Sequence, residues 1–226
     1  QLSPREELMS ASEVYEIANV FVSHGVDKIR LTGGEPLLRK DFGEILEHLS
    51  SLPVSLAITT NGVLLDRYID TLKKTGVNKL NISIDTLNPE RFKALTLRDQ
   101  FHRVMKNIDL AIKEGFNVKL NVVLIKGQNE DEIIDFIELT KDTFVKVRFI
   151  EFMPFKGNQW DQSKTISLDT ILNRVSEHYN TSELERIEDE PNDTAKNYKI
   201  RDYQGSFAVI STVTNPFCDS CNRLRL

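Results

Sequence analysis

The amino-acid sequence predicts an α/β fold built on a parallel sheet, a partial β/α barrel, on three observations. Three segments echo one another: GVDKIRL at 25–31, GVNKLNI at 76–82 and GFNVKLN at 115–121, each a glycine followed at once by a β-rich run. Glycine suits the end of a preceding helix, where the chain commonly turns through a left-handed conformation. Amphipathic patterns separate the strand-like runs, and strands alternating with helices at intervals of roughly 25–35 residues indicate parallel pairing through right-handed crossovers. The strands themselves carry one aliphatic and one polar face.

In chain order, Val14, Ile17, Ala18 and Phe21 fall at helical spacing behind a Ser10 or Ser12 cap. Asp41 and Glu44 read as an acidic capping box leading into Ile45, Leu46 and Leu49. Residues 64–74, 101–114 and 131–140 give three more helices, and residues 54–60 and 144–153 two more strands. With five strands visible, an open or partial barrel is preferred to a closed eight-stranded one. A break near Pro154 divides a barrel region, 1–153, from a smaller C-terminal region, 154–226. The latter opens with a loop or lid at 154–164, followed by a helix at 167–179 and strand candidates at 198–201 and 207–213.

The chain has 29 basic and 34 acidic residues, a net charge of −5, which argues against a nucleic-acid binder with a broad basic surface. A small anion held in an interior positive pocket remains compatible with it. No apolar run approaches the ~20 residues needed to span a bilayer, and no signal peptide opens the chain. A cytoplasmic protein with no membrane partner is expected. The two cysteines, Cys218 and Cys221, exclude a disulfide framework. The chain begins without methionine and stops just after the cysteine motif, and reads as an excerpt from a longer protein.

Side chains alternate faces along a strand. Lys28, Arg30 and Thr32 oppose Ile29 and Leu31; Ser55, Ala57, Thr59 and Asn61 oppose Val54, Leu56 and Ile58; Asn81, Ser83 and Asp85 oppose Leu80, Ile82 and Ile84; Lys119 and Asn121 oppose Val118, Leu120 and Val122. Parallel sheets are normally buried on both sides and aliphatic throughout. With the aliphatic faces under helices, the polar faces point inward. Each buried polar group left without a partner costs roughly 1–3 kcal/mol, so this interior calls for water or a polar ligand. An antiparallel sheet with one wet face would show the same alternation, but the intervening helices argue against it. Arg30, Thr59, Ser83 and Lys119, with Arg148 a further candidate, line the expected cavity, whose cations suit a carboxylate or phosphate.

At the end of the first strand stands Thr32-Gly33-Gly34-Glu35-Pro36-Leu37, where paired glycines admit a ligand close to the backbone and Glu35 offers an acceptor. Alone, this could be a tight turn. In this position it resembles the GGEP motif of the radical S-adenosylmethionine (radical SAM) superfamily. With RLTGGEPLLR at 30–39, TTNG at 59–62, NISID at 81–85, NVKLNV at 117–122, RFIEFM at 148–153 and CDSCNRLR at 218–225 in this order, the chain resembles the GTP 3′,8-cyclase (MoaA) family of molybdenum cofactor biosynthesis. The likeness runs from about Leu8 to Leu226.

That resemblance implies a partial (β/α)6 TIM-type barrel of the radical SAM kind, lacking its first strand here, with a small C-terminal cluster-binding region. It implies S-adenosylmethionine at Gly33, Gly34, Glu35, Ser83 and Met153, and GTP at Arg30, Thr59, Lys119, Arg223 and Arg225. It implies two [4Fe–4S] clusters, Cys218 and Cys221 holding part of the second. The first cluster's Cys-x3-Cys-x2-Cys loop is not in this sequence, and family layout places it upstream of Gln1. A third ligand of the second cluster is expected downstream, so the excerpt alone should not turn over. The implied reaction is cyclisation of GTP to (8S)-3′,8-cyclo-7,8-dihydroguanosine 5′-triphosphate. It draws on an electron donor such as flavodoxin and passes its product to cyclic pyranopterin monophosphate synthase; a homodimer is implied too.

Bland readings stand beside these. Met153 is of a type that usually fills cores, and Arg148 with Glu151 would also suit a structural ion pair. Cys218-x-x-Cys221 is half a site that also fits half a zinc ribbon, a redox pair or two inert thiols. The four histidines, His24, His48, His102 and His178, read as surface or capping residues. Rival functions are another radical SAM enzyme with an auxiliary cluster, of the peptide-modifying type, and a non-catalytic zinc-binding module on a β/α scaffold.

Overall fold

A computed structural model of the chain describes residues 8–155, 158, 160–189, 193–216 and 222–225. In chain order its elements are α1 (Ala11–Ser23), β1 (Lys28–Leu31), α2 (Phe42–Ser50), β2 (Ser55–Thr60), α3 (Ile69–Lys74), β3 (Lys79–Ser83), α4 (Pro89–Thr96), α5 (Phe101–Lys113), β4 (Asn117–Leu124), α6 (Ile133–Glu138), β5 (Lys146–Glu151), α7 (Leu168–His178), β6 (Leu184–Ile187), β7 (Lys196–Ile200) and β8 (Ser206–Ile210). They divide into two compact units. One takes the chain up to Ser83 together with His102–Val118; the other takes Ile84–Phe101 and the chain from Lys119 onward.

In the first unit β1, β2 and β3 pair in parallel, with Arg30 opposite Ala57, Ala57 opposite Lys79, and Thr59 opposite Asn81. Their other face is the apolar one: Leu56, Ile58, Leu80 and Ile82 are buried, as are Leu46, Leu49, Leu72, Val104 and Ile108 of the helices. The α1 start is set by Ser10, whose Oγ accepts from Glu13 N–H while the Glu13 carboxylate accepts from Ser10 N–H at 2.8 Å. The acidic capping box expected at α2 does not form. Asp41 makes no side-chain cap bond, because its carboxylate takes Nε and Nη2 of Arg39 at 3.0 and 2.7 Å.

In the second unit β4, β5 and β8 pair in parallel, and β8 continues into an antiparallel β7–β6 ribbon. The break at Pro154 is therefore not a break in pairing, since β8 from the C-terminal region lies against β5. Gly205 allows that join: its N–H donates to Thr140 O at 2.8 Å, and a Cβ there would lie 2.2 Å from Val145 O.

Two elements were not expected from the sequence. In α4, Asn88 caps by accepting Arg91 N–H at 2.9 Å and Pro89 fills the first turn, a legible signal in a helix too short to show a strong apolar stripe. In β6, two of four residues are charged, which hides its alternation. β5 begins at Lys146 rather than 144, leaving Phe144 exposed. Among the described residues no helix is long and apolar enough to cross a membrane.

Candidate functional site

Register in the first unit builds a polar face in rows. Arg30, Ala57 and Lys79 form one row and Thr59 with Asn81 the next, while Ser83 ends β3 exposed. Asn81 is buried and donates through Nδ2 to Ile58 O at 3.1 Å. Lys79, which sequence reasoning passed over, extends across this face and donates to Ser55 Oγ at 2.9 Å.

The loop after β1 carries the two glycines at the carboxyl edge of the parallel strands, the edge where open α/β sheets bind ligands. Gly33 has φ +121°, a conformation that favours glycine, and a Cβ there would meet nothing within 4 Å. Backbone shape rather than crowding sets the residue type. Gly33 and Gly34 are both exposed.

Glu35 is turned inward to the protein. Its Oε1 accepts from Thr60 Oγ1 at 2.7 Å and Leu37 N–H at 3.1 Å, and its Oε2 from Asn61 N–H at 2.6 Å. The carboxylate thus ties the glycine loop to the end of β2. A second brace holds the next turn, where buried Asn107 of α5 donates through Nδ2 to Gly62 O at 2.8 Å and Val63 O at 3.2 Å.

In the second unit the same alternation gives a row of Lys119, Lys146 and Ser206, then a row of Asn121, Arg148 and Ala208. The Oδ1 of Asn121 is buried with no hydrogen-bond donor, an acceptor that suits a polar ligand or water. Lys146 joins this face unanticipated. Asp85 is half-buried and accepts Val123 N–H at 2.8 Å; desolvation pushes its carboxyl above the usual carboxylate range, with that hydrogen bond opposing. Asn129 closes the same corner, donating through Nδ2 to Asp85 O at 2.6 Å and Val123 O at 2.8 Å.

Glu151 sits on the opposite face of β5 from Arg148, by strand alternation. It is buried and accepts Val213 N–H at 2.6 Å, Thr214 N–H at 3.0 Å and Thr214 Oγ1 at 2.7 Å. It anchors the segment after β8. Met153 lies past the end of β5 and is exposed, not a core filler, its carbonyl accepting from Asn158 Nδ2 at 2.9 Å. Arg223 donates to Thr194 Oγ1 at 3.0 Å, and Arg225 is exposed. Cys218 and Cys221 lie outside the described residues. Among those described, no group of three His, Cys, Asp or Glu side chains could hold a metal ion.

Residues 1–140 match the family model described as Radical SAM superfamily. The chain belongs to that superfamily. Residues 145–226 match a second model, Molybdenum Cofactor Synthesis C.

Curated relatives of this radical SAM chain include the mitochondrial GTP 3′,8-cyclase of Arabidopsis thaliana, 49 % identical over 100 % of this chain and 58 % of that protein. The molybdenum cofactor biosynthesis protein moc-5 of Caenorhabditis elegans is 47 % identical over 100 % of this chain and 38 % of its own length. The GTP 3′,8-cyclase of Listeria monocytogenes is 42 % identical over 99 % of this chain and 68 % of its own length. The chain thus spans little more than half of the Arabidopsis protein and less than half of the nematode one. Among solved structures, Streptococcus suis SuiB bound to S-adenosylmethionine superposes with a TM-score of 0.64 at 18 % identity, covering 92 % of this chain and 45 % of that one. Methylornithine synthase (PylB) does so with a TM-score of 0.59 at 18 % identity, covering 74 % of this chain and 52 % of that one. These likenesses show the radical SAM fold, the α/β class with parallel strands expected from the sequence.

Proposed function

We propose that this chain is the greater part of the catalytic region of a GTP 3′,8-cyclase, acting at the first step of molybdenum cofactor biosynthesis. One observation supports the reading above all: polar and cationic side chains line one face of the parallel strands in each unit, Arg30, Thr59 and Lys79 in the first and Lys119, Asn121 and Arg148 in the second. The relatives named for the same reaction support it from outside the structure.

S-adenosylmethionine fits the first unit's carboxyl edge, where Gly33 and Gly34 are exposed, Gly33 has open space beside it and Ser83 presents a hydroxyl. When bound and reduced by a [4Fe–4S] cluster, it supplies a carbon-centred radical. The chain's own part is to hold and shield. Gly33 and Gly34 offer backbone groups to the methionine end, and Glu35, whose oxygens are engaged by Leu37, Thr60 and Asn61, keeps their loop in place. Arg30 and Lys119 hold the phosphates of GTP through charge-assisted hydrogen bonds, Thr59 adds a hydroxyl, and Arg223 and Arg225 extend the contacts. Met153 is proposed to reach S-adenosylmethionine from the end of β5. Fixing both ligands and excluding water is the protein's contribution to a radical reaction.

Cys218 and Cys221 are proposed as two thiolate ligands of a second [4Fe–4S] cluster. The sequence holds no other cysteine, and none of its residues is proposed as a ligand of the first cluster. A dimer, an electron donor of the flavodoxin type and delivery to cyclic pyranopterin monophosphate synthase complete the proposal. The test is anaerobic incubation of the full-length reduced protein with S-adenosylmethionine and GTP. Formation of 5′-deoxyadenosine with the cyclised nucleotide is expected; 5′-deoxyadenosine without any GTP-derived product would refute it.

A further inference from the structure

We propose that Lys79 is a further contact for the phosphates of the nucleotide, forming with Arg30 a cationic pair that straddles Ala57. This rests on the reading of the site as a nucleoside triphosphate site and names a residue that the motifs did not single out.

Register places the three residues in one row across β1, β2 and β3, Arg30 opposite Ala57 and Ala57 opposite Lys79. Residues two strands apart in such a row have their Cα atoms about 10 Å apart. The middle position carries only a methyl group, and Ala57 is 1 % exposed, so the longer side chains around it close over the row. The row thus sets two long cationic side chains on one face of the sheet, two strands apart.

Lys79 is also aimed across the sheet. Its Nζ donates to Ser55 Oγ at 2.9 Å, and Ser55 lies on β2, one step back on the same face. A hydroxyl takes one of the three ammonium donors and neutralises none of the charge. A half-buried ammonium beside a neutral partner is better served by an anion than by a substrate's neutral end. In the next row Thr59 and Asn81 continue the polar surface. Lys79 therefore addresses the phosphate chain, not the guanine or the ribose.

The test is calorimetric titration of GTP, GMP and S-adenosylmethionine into the full-length protein, with Lys79→Ala and Lys79→Arg beside the wild type. Lys79→Ala should lose about tenfold or more in GTP affinity, the scale of one charge-assisted hydrogen bond, and much less for GMP. Lys79→Arg should restore most of the loss, and S-adenosylmethionine affinity should stay within about twofold throughout. Lys79→Ala binding GTP like the wild type overturns the contact, as do equal losses for GTP and GMP. Wild-type protein that binds no GTP refutes the underlying reading instead, so the two failures are distinguishable.

Discussion

Thr60 donates a 2.7 Å hydrogen bond to Glu35, joining the glycine loop after β1 to the last residue of β2. With Asn61 N–H on the other oxygen, the carboxylate is a brace between two strand ends. Glu35→Ala should cost about 1–3 kcal/mol of stability, because it strands Asn61 N–H and the Thr60 hydroxyl. Glu44→Ala, at the exposed site where a capping box was expected, should stay within about 0.5 kcal/mol. Urea unfolding of both variants compares them.

Much of the fold was legible because its signals are local. Alternation along β1, β2, β3 and β4 separates polar from aliphatic within a few residues, and a glycine closes α1, α3 and α5. What failed was competition and distance. Asp41 has a good capping residue type, but Arg39 two positions away captures its carboxylate. The role of Glu35 depends on Thr60, 25 residues further on, and that of Glu151 on Val213 and Thr214, more than 60 residues on. No spacing rule reaches so far. Lys79 and Lys146 could have been found, since each sits two positions before a polar residue of the same face, Asn81 and Arg148.

Asp85 gives a pH dependence with a definite sign. Burial raises its pKa above the ordinary 3.8. Below that value both folded and unfolded chains hold the proton; as pH rises, the unfolded chain releases its proton first, and stability falls until the folded group also ionises. Asp85→Asn keeps an oxygen for Val123 N–H and removes the burial of charge. It should raise the melting temperature at about pH 7 and leave it unchanged at about pH 3, as thermal scans at the two pH values will read.

Two glycines should fail for different reasons. Gly205→Ala forces a Cβ to 2.2 Å from Val145 O, so backbone must move where β8 joins β5, at a cost of about 3 kcal/mol. Gly33→Ala meets no atom within 4 Å and costs only its positive φ, about 1–2 kcal/mol. Chemical denaturation should rank Gly205→Ala as the worse.

Glu151 holds the amides of Val213 and Thr214. Glu151→Leu removes their shared acceptor, Oε2, and hydrogen exchange at those two amides should quicken by about tenfold or more, ahead of any change in β4. Unchanged protection there would mean that the segment is held by something else.

The account turns on the polar face as a nucleotide site, and titrating GTP and S-adenosylmethionine separately into full-length Lys119→Ala protein tests it most directly. Lys119 shares its face with Lys146 and is proposed to hold phosphate. The account predicts a loss of about tenfold for GTP, with S-adenosylmethionine affinity within about twofold of the wild type. Equal losses for both ligands, or none for GTP, would contradict it.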